Sequence, residues 1–487
     1  MSSATQAPSS SGPAEPPVPQ TRVRSEVAPA ARGSSPTAIL TRGWTTGLAR
    51  GGLAFAVMVA LGQAVAFAVN LGQGLRMSAG TAAKLGWLYV GWFHHATITT
   101  HLTPPVEPGP AGSAPTGGLT ADVGLAMMLG TFLAIALLYR GGRVVADRAG
   151  GGAGARVLHG MKVAPAYAIL PFLVTGLVTI DIPIPRNALF TGSLQMRPWD
   201  LSWLVLPLLI AVAAGAAGGL RSGRHELVSH DPWGRRAAGA TAGGVRMFVL
   251  GLALSLVGVL VLSAIRPGAT RTYLETVSGP PPEQAAVVAA NQLLLLPNQS
   301  MWVLVPAMGG CDGLSGGSVS ATFLCYSKVP TRVSVNPEGL TSGTPVFRAG
   351  FTKATSAYLL FLLVPALSVV LGGRHAARKR ARLKWEAVGV GAASGLVFAV
   401  LVGLGSWFAS VSAGLSSPAA GIPANASVMI GPGVLAAGLL ALAWGVVGGA
   451  LGGWLGGRRF PPRALLPEPS GLLTRRGTAR PGSDPRG

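Results

Sequence analysis

Eight apolar blocks, each close to the length of a membrane-crossing helix, alternate with short clusters of arginine and lysine along this 487-residue chain. A helix rises 1.5 Å per residue, so ~20 residues cross the ~30 Å hydrocarbon core of a bilayer. The blocks run over 51–72, 123–139, 163–180, 201–220, 247–265, 354–371, 387–408 and 434–455. A soluble fold would have to bury all of them in one core. It would have 11% charged residues to cover that core, where soluble domains carry about a quarter. The chain is therefore expected to be an all-α, polytopic membrane bundle that sits in the lipid bilayer of the cell membrane.

The net charge of +22 raises the question of nucleic acid, which needs a basic surface patch. The basic residues are instead spread between the blocks. Arg140, Arg143, Arg148 and Arg156 follow the second block, Arg221, Arg224, Arg235 and Arg236 the fourth, and Arg374, Arg378, Lys379, Arg380 and Arg382 the sixth. Cytoplasmic loops of membrane proteins carry such clusters. With eight spans and both termini in the cytoplasm, 28 of the 38 Lys and Arg residues fall inside and ten outside. The charge is thus an orientation signal, no nucleic-acid partner is expected, and acidic lipids are expected at the basic loops. Residues 1–40 are rich in Ser, Pro and Ala and have no apolar signal core, and 458–487 are of the same character with more arginine. Both read as disordered cytoplasmic tails.

A ninth apolar stretch, 285–308, is long enough to cross but contains Pro297-Asn298-Gln299 and Pro306. If it crossed, the basic cluster at 374–384 would lie outside, against the sorting of charge. It is therefore expected to be an interrupted, re-entrant element, entering and leaving on one side. A short aromatic stretch at 87–97 stands in the same place between the first two blocks. The layout then divides into two tandem four-span repeats, 41–236 and 237–457, the second with an extracytoplasmic loop at 309–353. Tyr139-Arg-Gly-Gly-Arg143 is echoed by Leu371-Gly-Gly-Arg374. An even number of spans per repeat gives both one orientation, related by an axis along the membrane normal.

Lysine is confined to Lys84, Lys162, Lys328, Lys353, Lys379 and Lys384, while arginine, Ala, Gly and Pro abound. In this the chain resembles the Gly/Ala-rich polytopic membrane proteins of high-GC bacteria. The resemblance is one of composition, runs loosely over the whole chain, and implies no functional residue or activity.

Cys311 and Cys325, the two cysteines, both fall in the outer loop, where an oxidising compartment permits a disulfide. Closing a loop of about 15 residues constrains the unfolded chain by roughly 3 kcal/mol. His94 and His95, with His101 beyond, are candidate metal ligands, but neighbouring residues do not share a helix face, so no metal site is assigned. Gln63, Asn70, Asn291, Asn298 and Gln299 are uncharged polar residues at or near membrane depth, able to bridge helices or to line a solute site. No Asp or Glu falls inside a span, which leaves carboxylate-based ion coupling without a carrier. Gly445, Gly449 and Gly453 recur at four-residue spacing in the last block, a face for close helix packing within the chain or in a homo-oligomer. The sequence lacks a phosphate-binding Gly-rich loop with Lys-Ser/Thr and a His-Glu-x-x-His, so neither an enzyme nor a cofactor is expected.

Two functions stay open on these residues, and the repeat and the interrupted helices favour the first. One is permease-like solute transport through a site at the interrupted helices, lined by Asn298, Gln299 and Gln63, which requires a polar cavity. The other is a non-catalytic scaffold or regulatory protein of the cell envelope that meets a membrane partner through its glycine faces; it requires a dry, tightly packed bundle.

Overall fold

The structure, a computed structural model, describes residues 36–72, 78–103, 119–184, 192–198, 200–223, 232–265, 285–316, 319–326, 328–335, 347–353, 356–381, 383–417 and 422–457. Of the expected tails, residues 1–35 and 458–487 lie outside the described residues, while 36–40, also assigned to the first tail, are helical in Pro36–Thr41.

Among the described residues, eight helical stretches have the length and hydropathy to cross a membrane. The first, Ile39–Leu71, is made by α1 (Pro36–Thr41) and α2 (Trp44–Gly72). A shorter helix, α3 (Ala79–Trp92), leads into the hairpin of β1 (Thr97–Thr103) and β2 (Leu119–Leu125). The second span is α4 (Met128–Ala149), and the third joins α5 (Ala153–Met161) to α6 (Ala164–Thr175). After β3 (Ile180–Ile184) and β4 (Gly192–Arg197), α7 (Ser202–Ser222) forms the fourth. The second half begins with α8 (Pro232–Ile265), followed by α9 (Ala285–Ala307) and the strands β5 (Cys311–Gly316), β6 (Val319–Cys325), β7 (Lys328–Val335) and β8 (Phe347–Lys353). It ends with α10 (Leu363–Arg380), α11 (Lys384–Ala409), β9 (Val411–Ser417), β10 (Ile422–Pro432) and α12 (Val434–Gly457).

The burial pattern is that of a bundle solvated by lipid. Leu53, Val249 and Leu439 are more than half exposed in mid-helix, whereas small residues such as Ala54, Ala134, Ala211, Ala437 and Ala441 fill the contacts between helices. Buried aromatics and methionines, among them Phe93, Trp203, Met247, Met301 and Phe398, close the remaining space.

Every strand lies in a connection that follows an odd-numbered span, so all ten are on one side of the bundle. There they form one sheet, in the order β3-β4-β1-β2-β9-β10-β5-β6-β7-β8, with antiparallel pairing throughout. The edge strand β3 contains Pro183, which lacks an N–H and is tolerated where no neighbour needs one. Cys311 and Cys325 face each other across the β5–β6 hairpin and are disulfide-bonded, as the sequence led us to expect.

The membrane part is helical as expected, but the sheet outside it was not anticipated. The first residues assigned to the second block, 123–125, belong to β2, and the last of the third block lies in β3. Some spans also run about three to four turns beyond their apolar block into the basic residues, as α4 does to Ala149 and α8 does back to Pro232. Hydropathy marks where a helix is oily; arginine and lysine propagate a helix well, so the helix itself continues. Helix α9 is not broken at Pro297-Asn298-Gln299: it runs through Pro297 as one helix, and the hydroxyl of Ser300 donates to the carbonyl of Leu296 in that turn. A single proline removes one ladder bond, which packing on neighbouring helices compensates.

Candidate functional site

A buried polar place lies at the seam where the two halves meet, with Asn298 at its centre. Asn298 is 5% exposed. Its Oδ1 accepts the N–H of Met128 at 3.0 Å, and its Nδ2 donates to the carbonyls of Ala126 at 2.6 Å and Phe408 at 3.4 Å. Met128 is the first residue of α4 and Phe408 the penultimate residue of α11. A helix leaves its first N–H and last C=O groups without internal partners. A carboxamide carries both an acceptor and a donor, so one side chain caps a helix start from the first half and a helix end from the second. Trp302 adds a bond from its Nε1 to the carbonyl of Ala409, the last residue of α11, at 2.9 Å. Higher on α9, Asn291 Oδ1 accepts the hydroxyl of Tyr89 from α3 at 3.1 Å.

On the sheet side the seam continues without a gap. Strand β2 pairs with β9 from Thr120↔Ser416 to Leu125↔Val411. A Cβ on Gly124 would stand 2.4 Å from Ser412 Oγ, so glycine leaves room for that hydroxyl between the two strands. His95, at φ 60°, turns the chain from α3 toward β1, and its ring packs on Trp407 at 4.8 Å and Phe408 at 5.8 Å between centroids.

His94 points elsewhere. Its Nδ1 lies 2.7 Å from the Val90 carbonyl, which only accepts, so Nδ1 carries the proton and Nε2 accepts the hydroxyl of Tyr167 from α6 at 2.5 Å. Burial lowers both imidazole pKa values to about 4. The two rings thus serve different contacts, and His101 is a third case, bonded to Thr120 Oγ1 within the β1–β2 hairpin.

The other residues singled out by sequence divide in the same way. Gln63 donates to the carbonyl of Ala83 at 3.0 Å, which joins α2 to α3 inside the first half. Asn70 and Gln299 are half-buried on α2 and α9. Gly445, Gly449 and Gly453 face Gly395, Gly391 and Ala387 of α11, and the alternate row Gly448, Gly452 and Gly456 faces Val369, Val370 and Arg374 of α10. Both glycine rows of α12 are therefore used within the chain.

Sequence reasoning did not find Asp312. It is fully buried on the inner face of β5, one residue from the disulfide, and neither carboxylate oxygen has a hydrogen-bond partner among the described residues. Burial raises its pKa to about 8. The one available signal was strand alternation: with Cys311 facing out, Asp312 must face in. Nor did it find the partners of Asn298, which lie 110 to 172 residues away. No family model, curated protein or solved structure matches the chain.

Proposed function

We propose that the chain is a non-catalytic scaffold of the cell envelope, built from two head-to-tail copies of one four-span unit and holding a rigid sheet at the outer membrane surface. The seam carries this reading. Transporters of two-repeat design work by rocking one unit against the other. Here the units are joined through a continuous ladder at β2–β9 and through Asn298, whose amide groups bond to helix ends of both. Rocking would have to break all of these together.

Two sets of contacts support the duplication. In the sheet, β3-β4-β1-β2 is followed by β9-β10-β5-β6, the same order if β3 is matched with β9, β4 with β10, β1 with β5 and β2 with β6. In the bundle, Gly142 and Gly160 both approach Gly215, and Gly373 and Gly391 both approach Gly449. The step is 231 residues for the first two (373 − 142, 391 − 160) and 234 for their common partner (449 − 215). The same steps relate Gly218 on the Tyr139 carbonyl to Gly452 on the Val370 carbonyl, and Gly219 on the Arg156 carbonyl to Gly453 on the Ala387 carbonyl. Partial helices α3 and α9 end alike: the N–H of Ala96 bonds to the Gly91 carbonyl across His95, as that of Gly310 bonds to the Val305 carbonyl across Gly309. Each then enters the sheet, which fits elements that open on one side only. The bundle ends away from the sheet hold Arg143, Arg148, Arg156, Arg235 and Arg374; with the positive side inward, both termini are cytoplasmic.

A permease remains the second reading, favoured by the partial helices themselves, since carriers build their sites on such elements. A cross-seam disulfide separates the two. Val123 and Ala413 face each other on β2 and β9, and Val123→Cys with Ala413→Cys would lock the units together. A scaffold locked in this way, as the sole copy in the cell, should rescue a deletion strain as well as the wild type does. Rescue that fails when oxidised and returns on reduction means that the units move as they work, and the permease reading replaces ours.

A further inference from the structure

At the ends of α2 and α4 away from the sheet, the two helices stand apart and leave a groove of ≈ 520 Å³. Arg50 of α2 and Arg140 and Arg143 of α4 rim it over a wall of Leu53, Ala54 and Leu137. A second groove of ≈ 430 Å³ shares Arg50 and Leu53 and adds Arg148. Arg143 is paired with Asp147 at 3.6 Å, and Asp147 also accepts the hydroxyl of Ser222. Arg50, Arg140 and Arg148 make no hydrogen bond or ion pair with any described residue. Two of these guanidinium groups, Arg50 and Arg140, thus rim one apolar groove at the end of a membrane span, and Arg148 lines the adjoining one.

The other half explains why the groove exists. By the steps that relate the two units, Gly141 matches Gly372, and Gly51, which lies against the Val163 carbonyl, matches Gly244 against that of Ser394. Arg50 then stands where the second half has Gly243. At Gly372 a Cβ would meet Met247 at 2.3 Å and the Gly243 carbonyl at 2.9 Å, so α8 lies directly on α10. At Gly141 the nearest atom is the Cβ of Arg50, at 3.3 Å. Arginine in place of glycine keeps α2 off α4 and supplies charge at the same point.

We propose that this groove binds an anionic phospholipid of the leaflet on the basic side, with the phosphate held by Arg50 and Arg140 and an acyl chain along Leu53, Ala54 and Leu137. A phosphate anion with hydrocarbon attached fits both parts of the site: guanidinium forks match phosphate oxygens, and the apolar wall requires a chain. A free phosphate would satisfy only the first part. The inference depends on the eight spans and not on the scaffold reading, so either can fail alone.

The test is native mass spectrometry and thermal melting of the full chain in nanodiscs of phosphatidylcholine, with or without phosphatidylglycerol, and in a third arm with inorganic phosphate. The wild type should retain phosphatidylglycerol over phosphatidylcholine, and R50Q/R140Q should lose that preference by on the order of tenfold. R50K/R140K, which keeps the charge, and Arg246→Gln, an exposed arginine of the second half, should retain it. If the double glutamine variant fails to fold, Arg140→Gln alone, at an exposed position, should weaken retention about fivefold. Equal retention by the glutamine variants, or equal loss in Arg246→Gln, overturns the assignment. So does stabilisation by inorganic phosphate as large as that by the lipid, which would make the groove a site for a soluble anion.

Discussion

On the proposed duplication, Lys84, Ile98 and Arg50 of the first half match Asn298, Asp312 and Gly243 of the second, whereas the contacts of Gly142 and Gly160 with Gly215 recur as those of Gly373 and Gly391 with Gly449. Gly215 and Gly449 each stand within 2.4 Å, measured from an added Cβ, of the carbonyl of the glycine opposite. Backbone approach leaves no room for divergence, because any side chain must displace main-chain atoms. The side chains differ with what each unit faces. Lys84 is exposed on α3 at an outer flank of the chain, whereas Asn298, at the same place on α9, meets the other half and is buried. If the halves are copies of one unit, as proposed, they diverge at positions where they have unlike neighbours.

The largest effects are expected at the glycines. Gly215→Ala and Gly449→Ala should each destabilise the chain by about 3 kcal/mol, since the added methyl meets a carbonyl that cannot move alone. Thermal melting in detergent gives both values. Losses that differ by much more than about 1 kcal/mol would break the correspondence between the halves, because equivalent sites with equivalent contacts must respond alike.

Asn298→Ala should come next, at about 2–3 kcal/mol, since it strips partners from a helix-start N–H and two carbonyls at a buried seam. Lys84→Ala, the matched change, should fall within about 0.5 kcal/mol. Hydrogen exchange sharpens the comparison further: the Asn298 variant should lose protection at β2 and β9 together, and leave β3–β4 as it was. Loss confined to α9 would mean that Asn298 holds only its own helix.

How much of this could be read from the sequence follows from the range of each signal. Spans, their basic ends and the disulfide depend on local hydropathy, charge and two cysteines, and all were legible. The sheet was not. Its strands are short and full of Gly, Ser and Thr, as in β5 (CDGLSG) and β9 (VSAGLSS), with little alternation to mark a strand. Its order joins segments nearly 300 residues apart, as at β2–β9. Asn298 could be flagged as a buried polar residue, but proline beside it suggested a broken helix and an open site. What it bonds to is set by tertiary packing, which no window of sequence contains.

Asp312 gives the smallest effect and the most particular signature. On the proposed duplication its match in the first half is Ile98, 2% exposed in an apolar cluster with Trp203 and Ile180. A carboxyl in that position is kept protonated by burial, with a pKa of about 8 against an ordinary 3.8. Between those values the folded chain holds a proton that the unfolded chain has released, so stability falls as pH rises, and the fall ends once pH passes about 8. His94 and His95 act oppositely. They are held neutral, and acid costs stability as pH drops from 6.5 toward about 4. The carboxyl is therefore best isolated above pH 6.5. Asp312→Asn should remove the decline there and raise stability at pH 8 by about 1–2 kcal/mol, and Asp312→Ile, which copies the first half, should do the same. Melting curves from pH 6.5 to 9 decide it. A decline that persists unchanged in both variants would move its origin away from this residue, and with it the contrast between a carboxyl in one unit and an isoleucine in the other.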